Sequence, residues 1–203
     1  MTDKNVLVLV GSLRTASTNR QLAETAVSHA PDGLSLSLYE GHGELPLYNE
    51  DRDIEGALPA EVVDLRAAIA ASDAVLVVTP EHNGTLPANL KNAIDWASRP
   101  YGVAAIVAKP VAVIGTAFGQ FGGVWAQDEA RKSFGIAGAN VLGEHTLSIP
   151  NSVVRFAETH PSDDSEIVEQ LQAFLAGFAT ALDGIEAAAA EEAAGSQRDA
   201  DAA

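Results

Sequence analysis

The chain has 203 residues and no cysteine, which excludes disulfides, thiol nucleophiles and thiolate-held iron–sulfur clusters. Lysine is nearly as scarce, with Lys4, Lys91, Lys109 and Lys132 the four in the sequence. Twelve basic residues stand against 28 acidic ones, a formal net charge of −16. That balance argues against nucleic acid or anionic membrane as a partner. No uninterrupted apolar run approaches membrane-spanning length, and the charged start, Met1–Asn5, leads straight into a strand-like segment without a signal-peptide layout. A cytoplasmic protein is expected. Neither a P-loop ending in Gly-Lys-Ser/Thr nor Gly-x-Gly-x-x-Gly occurs. His29, His42, His82, His145 and His160 are scattered, with none at helical i,i+4 spacing, so no metal site is expected. The acidity fits two readings equally: a surface adapted to high salt, or incidental composition.

What is present points to one globular unit. Hydrophobic residues make up 47% of the chain, enough for one sizeable core and too short a length for two. The most informative stretch is Val6–Arg20, in which a Val/Leu run stops at Gly11. Five of the next nine residues (Ser12, Thr15, Ser17, Thr18, Asn19) carry small hydrogen-bonding side chains, and Arg14 and Arg20 are cationic. A continuous apolar run suits a parallel strand buried on both faces. The loop after it delivers a helix whose first N–H groups are unpaired and electropositive. Capping by Ser17 or Asn19 would explain part of this pattern, but two arginines and so many hydroxyls suit a phosphate monoester.

Strand and helix patterns then alternate. Strands are predicted at Asn5–Val10, Leu34–Tyr39, Ala74–Thr79, Val111–Gly115 and Asn140–Leu147, and helices at about Asn19–His29, Pro59–Ala71, Leu86–Ser98, Gly122–Gly135 and Asp164–Leu182. Leu34–Tyr39 alternates as an edge strand does, which gives five parallel strands in order 2-1-3-4-5, an α/β doubly wound sheet of flavodoxin type. Ligands of such sheets bind beyond the carboxyl ends of strands one and three. Glu40–Leu58 is too long for a plain connection and is a candidate functional loop. The domain is predicted over 1–185, with Glu186–Ala203 an Ala/Glu/Asp tail whose first turns extend the helix and whose end is disordered. Asp51, Asp53 and Glu55 read as a solvated loop rather than a carboxylate site.

A second motif, Thr79–Trp96, falls beside the phosphate loop in this topology. Pro80 and Pro87 stiffen it, and Gly84 allows a turn or close approach to a ligand. Stiff backbone groups there could read the edge of a flat heterocycle, or the segment could be a plain loop before a helix with Leu90, Ile94 and Trp96 in the core. Gly11-Ser12-Leu13-Arg14 with Ser17 and Asn19-Arg20, then Leu45–Asn49, Pro80–Gly84, Leu90–Trp96 and Gly115–Gly122, resembles the NADPH-dependent FMN reductase family over about Val6–Pro150. The resemblance implies a flavodoxin-like fold and FMN and NADPH (or NADH) as cofactors. It implies that Ser12, Arg14, Ser17 and Asn19 hold the FMN phosphate. Pro80, Glu81, His82, Asn83 and Gly84 would line the ring and ribityl chain, with Thr116, Ala117 and Gly119 on the other side. His82 stands where the family usually has tyrosine, and Gln120 where it commonly has arginine.

The function these features predict is transfer of hydride from NAD(P)H through FMN to a flavin, quinone or similar small acceptor. Flavin carries that chemistry, so no catalytic side chain is required. The alternatives are an FMN-binding electron carrier of flavodoxin type, whose Thr/Ser-x-Thr-Gly-x-Thr loop the chain lacks, and a redox-inactive scaffold. The resemblance also implies a homodimer or homotetramer, and no nucleic-acid or membrane partner is expected. The long loop and the apolar Gly122–Gly135 segment would otherwise be exposed.

Overall fold

The computed structural model describes residues 3–201, with side chains described from 3 to 196. Its strands are β1 (Lys4–Val10), β2 (Leu34–Leu38), β3 (Ala74–Val78), β4 (Pro110–Thr116) and β5 (Asn140–Ile149). Its α-helices are α1 (Thr18–Ser28), α2 (Ala60–Ala71), α3 (Ala88–Ala97), α4 (Val124–Ile136), α5 (Ser152–Arg155) and α6 (Ser165–Asp201). All neighbouring strands pair in parallel, in order β2-β1-β3-β4-β5. The predicted α/β architecture and strand order hold.

Successive side chains of a strand face opposite sides, so β1 feeds two cores at once. Val6, Val8 and Val10 pack with Leu22 of α1 and with Phe174 and Phe178 of α6. Leu7 and Leu9 pack on the other face with Leu65 of α2, Leu90 and Trp96 of α3 and Phe134 of α4. Each fully buried large side chain contributes roughly 1.5–3 kcal/mol. Leu90, Ile94 and Trp96 are therefore core residues. β2 alternates buried and exposed, as an edge strand does.

Three points go beyond the sequence reading, and the third corrects it. Helix α6 runs to Asp201, so helix occupies the stretch from 186 whose end composition marks as disordered. Alanine and glutamate are strong helix formers, and the packed half of α6 supplies the nucleus that they extend. Second, the part of α6 from Ser165 to Ser196 is long and apolar enough, by length and composition, to cross a membrane, although no single apolar run signals it. Its larger apolar residues, Ile167, Leu171, Phe174, Leu175, Phe178 and Leu182, recur at helical spacing and are buried against the sheet. Third, the apolar side of the Gly122–Gly135 segment is largely internal: Ala126, Ala130 and Phe134 are buried, leaving Trp125 and Ile136 outside.

Candidate functional site

The loops leaving β1, β3 and β4 meet at the carboxyl edge of the sheet, where the strand order reverses. Close approach between them depends on glycine. A β-carbon on Gly11 would lie 2.7 Å from Thr79 Oγ1, and one on Gly115 would lie 2.0 Å from the Thr79 carbonyl oxygen.

In the phosphate loop, Ser17 is the N-cap of α1, its hydroxyl accepting from the Arg20 N–H at 3.3 Å. The Thr18 and Asn19 amides have no intrahelical partner at this end. Ser12 is half-buried, and Arg14 is exposed and forms no ion pair among the described residues. Arg20, grouped with Arg14 by the sequence pattern, is committed elsewhere. It bonds Glu24 at 2.8 Å and both Glu40 oxygens at 2.6 and 2.5 Å. Asn19 lies 2% exposed with its amide on the backbone of Thr116, Nδ2 donating to the carbonyl at 2.8 Å and Oδ1 accepting the N–H at 3.0 Å.

On the β2 side of this loop lies a recess of about 510 Å³, lined by residues including Ser12, Arg14, Tyr39, Glu40 and His42. His42 is 6% exposed, and neither ring nitrogen has a hydrogen-bond partner among the described residues. Burial pushes its imidazole below the ordinary histidine range. The nearby Tyr39 and Val10 backbones pull the other way without reaching hydrogen-bonding geometry.

The loop after β3 is a tight hairpin. His82 and Thr85 exchange both backbone hydrogen bonds, at 3.0 and 3.1 Å, across Asn83 and Gly84, whose φ angles are +53° and +77°. Positive φ at both central residues marks a type I′ turn and accounts for Asn-Gly. A β-carbon on Gly84 would meet no protein atom, so within the protein itself this glycine serves the turn. Pro80 is half-buried at the base, while His82, Asn83 and Gly84 are exposed. The Glu81 carboxylate accepts from the Ala126 N–H at 3.4 Å, at the positive end of α4.

The loop after β4 is held from behind by residues that local pattern did not reveal. Ala117 N–H donates to Ile149 O and Ala117 O accepts from Ser152 N–H, while Gly119 O accepts from Asn151 and Gly122. Gln127, fully buried, donates to Gly122 O at 3.1 Å. Thr116 and Ala117 are buried, and Phe118, Gly119 and Gln120 are exposed. Only the Pro150-Asn151 break hinted at this backing. The backbone N–H groups of Asn83, Gly84, Phe118 and Gly119 have no acceptor among the described residues.

The 40–58 loop is fastened to α3. Tyr48 N–H donates to Asn92 Oδ1 at 2.8 Å, and Asn92 Nδ2 and Trp96 Nε1 both donate to Pro46 O, at 3.0 and 2.7 Å. Arg99 donates to the Tyr48 hydroxyl at 3.1 Å, and Asp53 pairs with Arg66 at 2.9 Å. The structure thus gathers the three groups of predicted residues at one edge and adds Asn151, Ser152 and Gln127 behind them. Asn19, Thr116 and Glu81 bond partners within the protein.

The sequence profile of the NADPH-dependent FMN reductase family matches residues 4–153. The chain is 40% identical over 174 residues to a quinone reductase of Pseudomonas putida, covering 86% of this chain and 90% of that protein. It is 38% identical over 175 residues to an NAD(P)H-dependent FMN reductase of Pseudomonas aeruginosa, covering 84% and 93%. The solved structure of FerB, a flavoenzyme NAD(P)H:(acceptor) oxidoreductase from Paracoccus denitrificans, superposes with a TM-score of 0.79 at 35% identity. That match covers 89% of this chain and 98% of FerB.

Proposed function

The chain belongs to the NADPH-dependent FMN reductase family, and from that premise we propose that its FMN-dependent oxidation of NAD(P)H serves the reduction of a small quinone. The quinone reductase likeness supports the acceptor class. When bound, FMN supplies the redox chemistry, accepting hydride from NAD(P)H and delivering it to the acceptor.

The protein's part is to bind, orient and polarise. Ser12, Ser17, Arg14 and the first amides of α1 form the phosphate cradle. Arg14 carries the charge there because, unlike Arg20, it has no carboxylate partner among the described residues. Pro80–Gly84 and Thr116–Gly119 flank the ring. The observation that carries this reading is the set of amides at Asn83, Gly84, Phe118 and Gly119, without acceptors among the described residues, on two loops that internal hydrogen bonds hold. Fixed N–H donors of this kind stabilise negative charge gathering on a reduced ring system without reorganisation.

We also propose a homodimer or homotetramer, supported by Leu47, Tyr101, Val103 and Ile136, each more than 75% exposed. A monodisperse monomer in light scattering would reject that. A cytoplasmic location is part of the same proposal. The central test is steady-state NADPH oxidation with a simple benzoquinone, using protein loaded with about one FMN per chain. Hydroquinone should accumulate as NADPH is consumed. Protein that binds FMN but leaves NAD(P)H untouched would be an electron carrier and would overturn the proposal.

A further inference from the structure

We infer that Asn19 is a positioning residue that registers the phosphate loop against the ring loop, standing in for a missing strand at the switch point. β3 pairs with β4 as far as Val78 and Ile114, and the next bond is Thr79 N–H to Ile114 O at 3.0 Å. Backbone groups along a strand alternate between its two neighbours. Ala117 turns its N–H to β5, bonding Ile149 O at 3.2 Å, so the N–H and C=O of Thr116 face the β3 side. There β3 has ended and Pro80 turns the chain away.

Two buried backbone groups would be left without partners, at a cost that folded proteins rarely accept. Asn19 satisfies both. Its carboxamide carries one donor and one acceptor in a plane, as a peptide unit does, and bonds the Thr116 C=O at 2.8 Å and N–H at 3.0 Å. Asn19 sits in the first turn of α1, directly after the N-cap Ser17 and Thr18. One side chain therefore joins the helix end that faces the phosphate to the residue that opens the ring loop, 97 positions later. Gly115 completes the contact, since its missing side chain lets Thr79 O and Asn19 Oδ1 approach together.

This inference rests on the FMN reading, and riboflavin, which has no phosphate, separates the two. Asn19→Ala in the full chain, titrated with flavin by fluorescence below its melting temperature, should lose affinity for FMN and riboflavin by a similar factor, on the order of tenfold. Asn19→Asp gives a second readout within one protein. Its carboxylate can accept the Thr116 N–H but cannot donate to the Thr116 carbonyl, whereas the neutral acid does both. Riboflavin affinity of Asn19→Asp should therefore recover towards wild type as pH falls from 8 towards 5. Wild type measured over the same range subtracts every pH effect that does not come from position 19, the protonation of His42 among them. A phosphate-binding Asn19 would change FMN affinity and leave riboflavin untouched in both variants. That result, or recovery of fold by circular dichroism at low pH without recovery of riboflavin affinity, overturns the inference. Wild-type protein binding neither flavin would instead overturn the FMN reading.

Discussion

Gly115 passes so close beneath Thr79 that a β-carbon on it would sit 2.0 Å from the Thr79 carbonyl oxygen. The obstacle is backbone, which cannot swing aside as a side-chain end can. The contact welds the ends of β3 and β4 together where the two candidate loops begin, so the fold and the proposed flavin site share one requirement at this position.

Gly115→Ala should therefore destabilise the protein by about 3 kcal/mol or more, the upper part of the range for overpacking a core. Urea denaturation checks this. FMN affinity should fall with it in the fraction that remains folded. A midpoint within error of wild type would mean that the two strand ends separate freely.

Arg14→Ala should weaken FMN binding by roughly 1.5–3 kcal/mol, the range for a hydrogen bond to a charged group, and should hardly affect riboflavin. Arg20→Ala should behave differently. Its partners Glu24 and Glu40 are 44% and 62% exposed, so losing the pairs should cost less than about 1 kcal/mol of stability and no phosphate-specific affinity. Paired FMN and riboflavin titrations of the two variants decide between the arginines. Equal loss of both flavins in Arg14→Ala would show that Arg14 supports the fold instead.

His42 ties stability to pH. Its folded imidazole is held below the ordinary histidine range by burial, while the unfolded chain takes up a proton near pH 6.5. Between those values the unfolded state binds more protons, so stability rises with pH. The contribution is complete above about pH 7.5 and is lost as pH falls through 6.5 towards the folded value. The slope approaches at most about 1.4 kcal/mol per pH unit. His42→Leu should flatten the stability curve between pH 5.5 and 7.5 relative to wild type. Parallel curves for the two proteins would contradict this account.

Salt should stabilise the protein. With 28 acidic against 12 basic residues, folding concentrates like charge. The Debye length shrinks from about 10 Å at 0.1 M to about 3 Å at 1 M, removing most repulsion between exposed groups. Melting temperature and NADPH turnover should both rise towards molar KCl, since screening also eases approach of an anionic nucleotide. A flat or falling response in both would make the acidity incidental, and deleting residues 186–203 would then locate it in the tail.

The alternation of strands and helices, the sheet order and the meeting of the candidate loops at one sheet edge were legible in the sequence because each is written in local pattern. The Val6–Val10 run specifies a strand buried on both faces, the alternation of Leu34, Leu36 and Leu38 marks an edge, and strand–helix repetition forces parallel pairing with right-handed crossovers. Asn83-Gly84 announces its own turn. These features depend on neighbours a few residues away.

Tertiary structure decided which polar side chains are free. Arg14 and Arg20 look alike in sequence, and Glu40, across the β1–β2 crossover, removes Arg20 from the phosphate loop. Asn19 looks like a loop ligand until Thr116, nearly a hundred residues later, claims both ends of its amide. Gln127 gives no local signal, and Asn151 and Ser152 give only the chain break at Pro150-Asn151, yet all three hold the loop after β4. The division has one cause. Backbone conformation follows short-range sterics and hydrophobic periodicity, which a chain displays along its length. A hydrogen bond's partner is chosen by folding, which brings distant strand ends together and requires every buried donor and acceptor there to be satisfied.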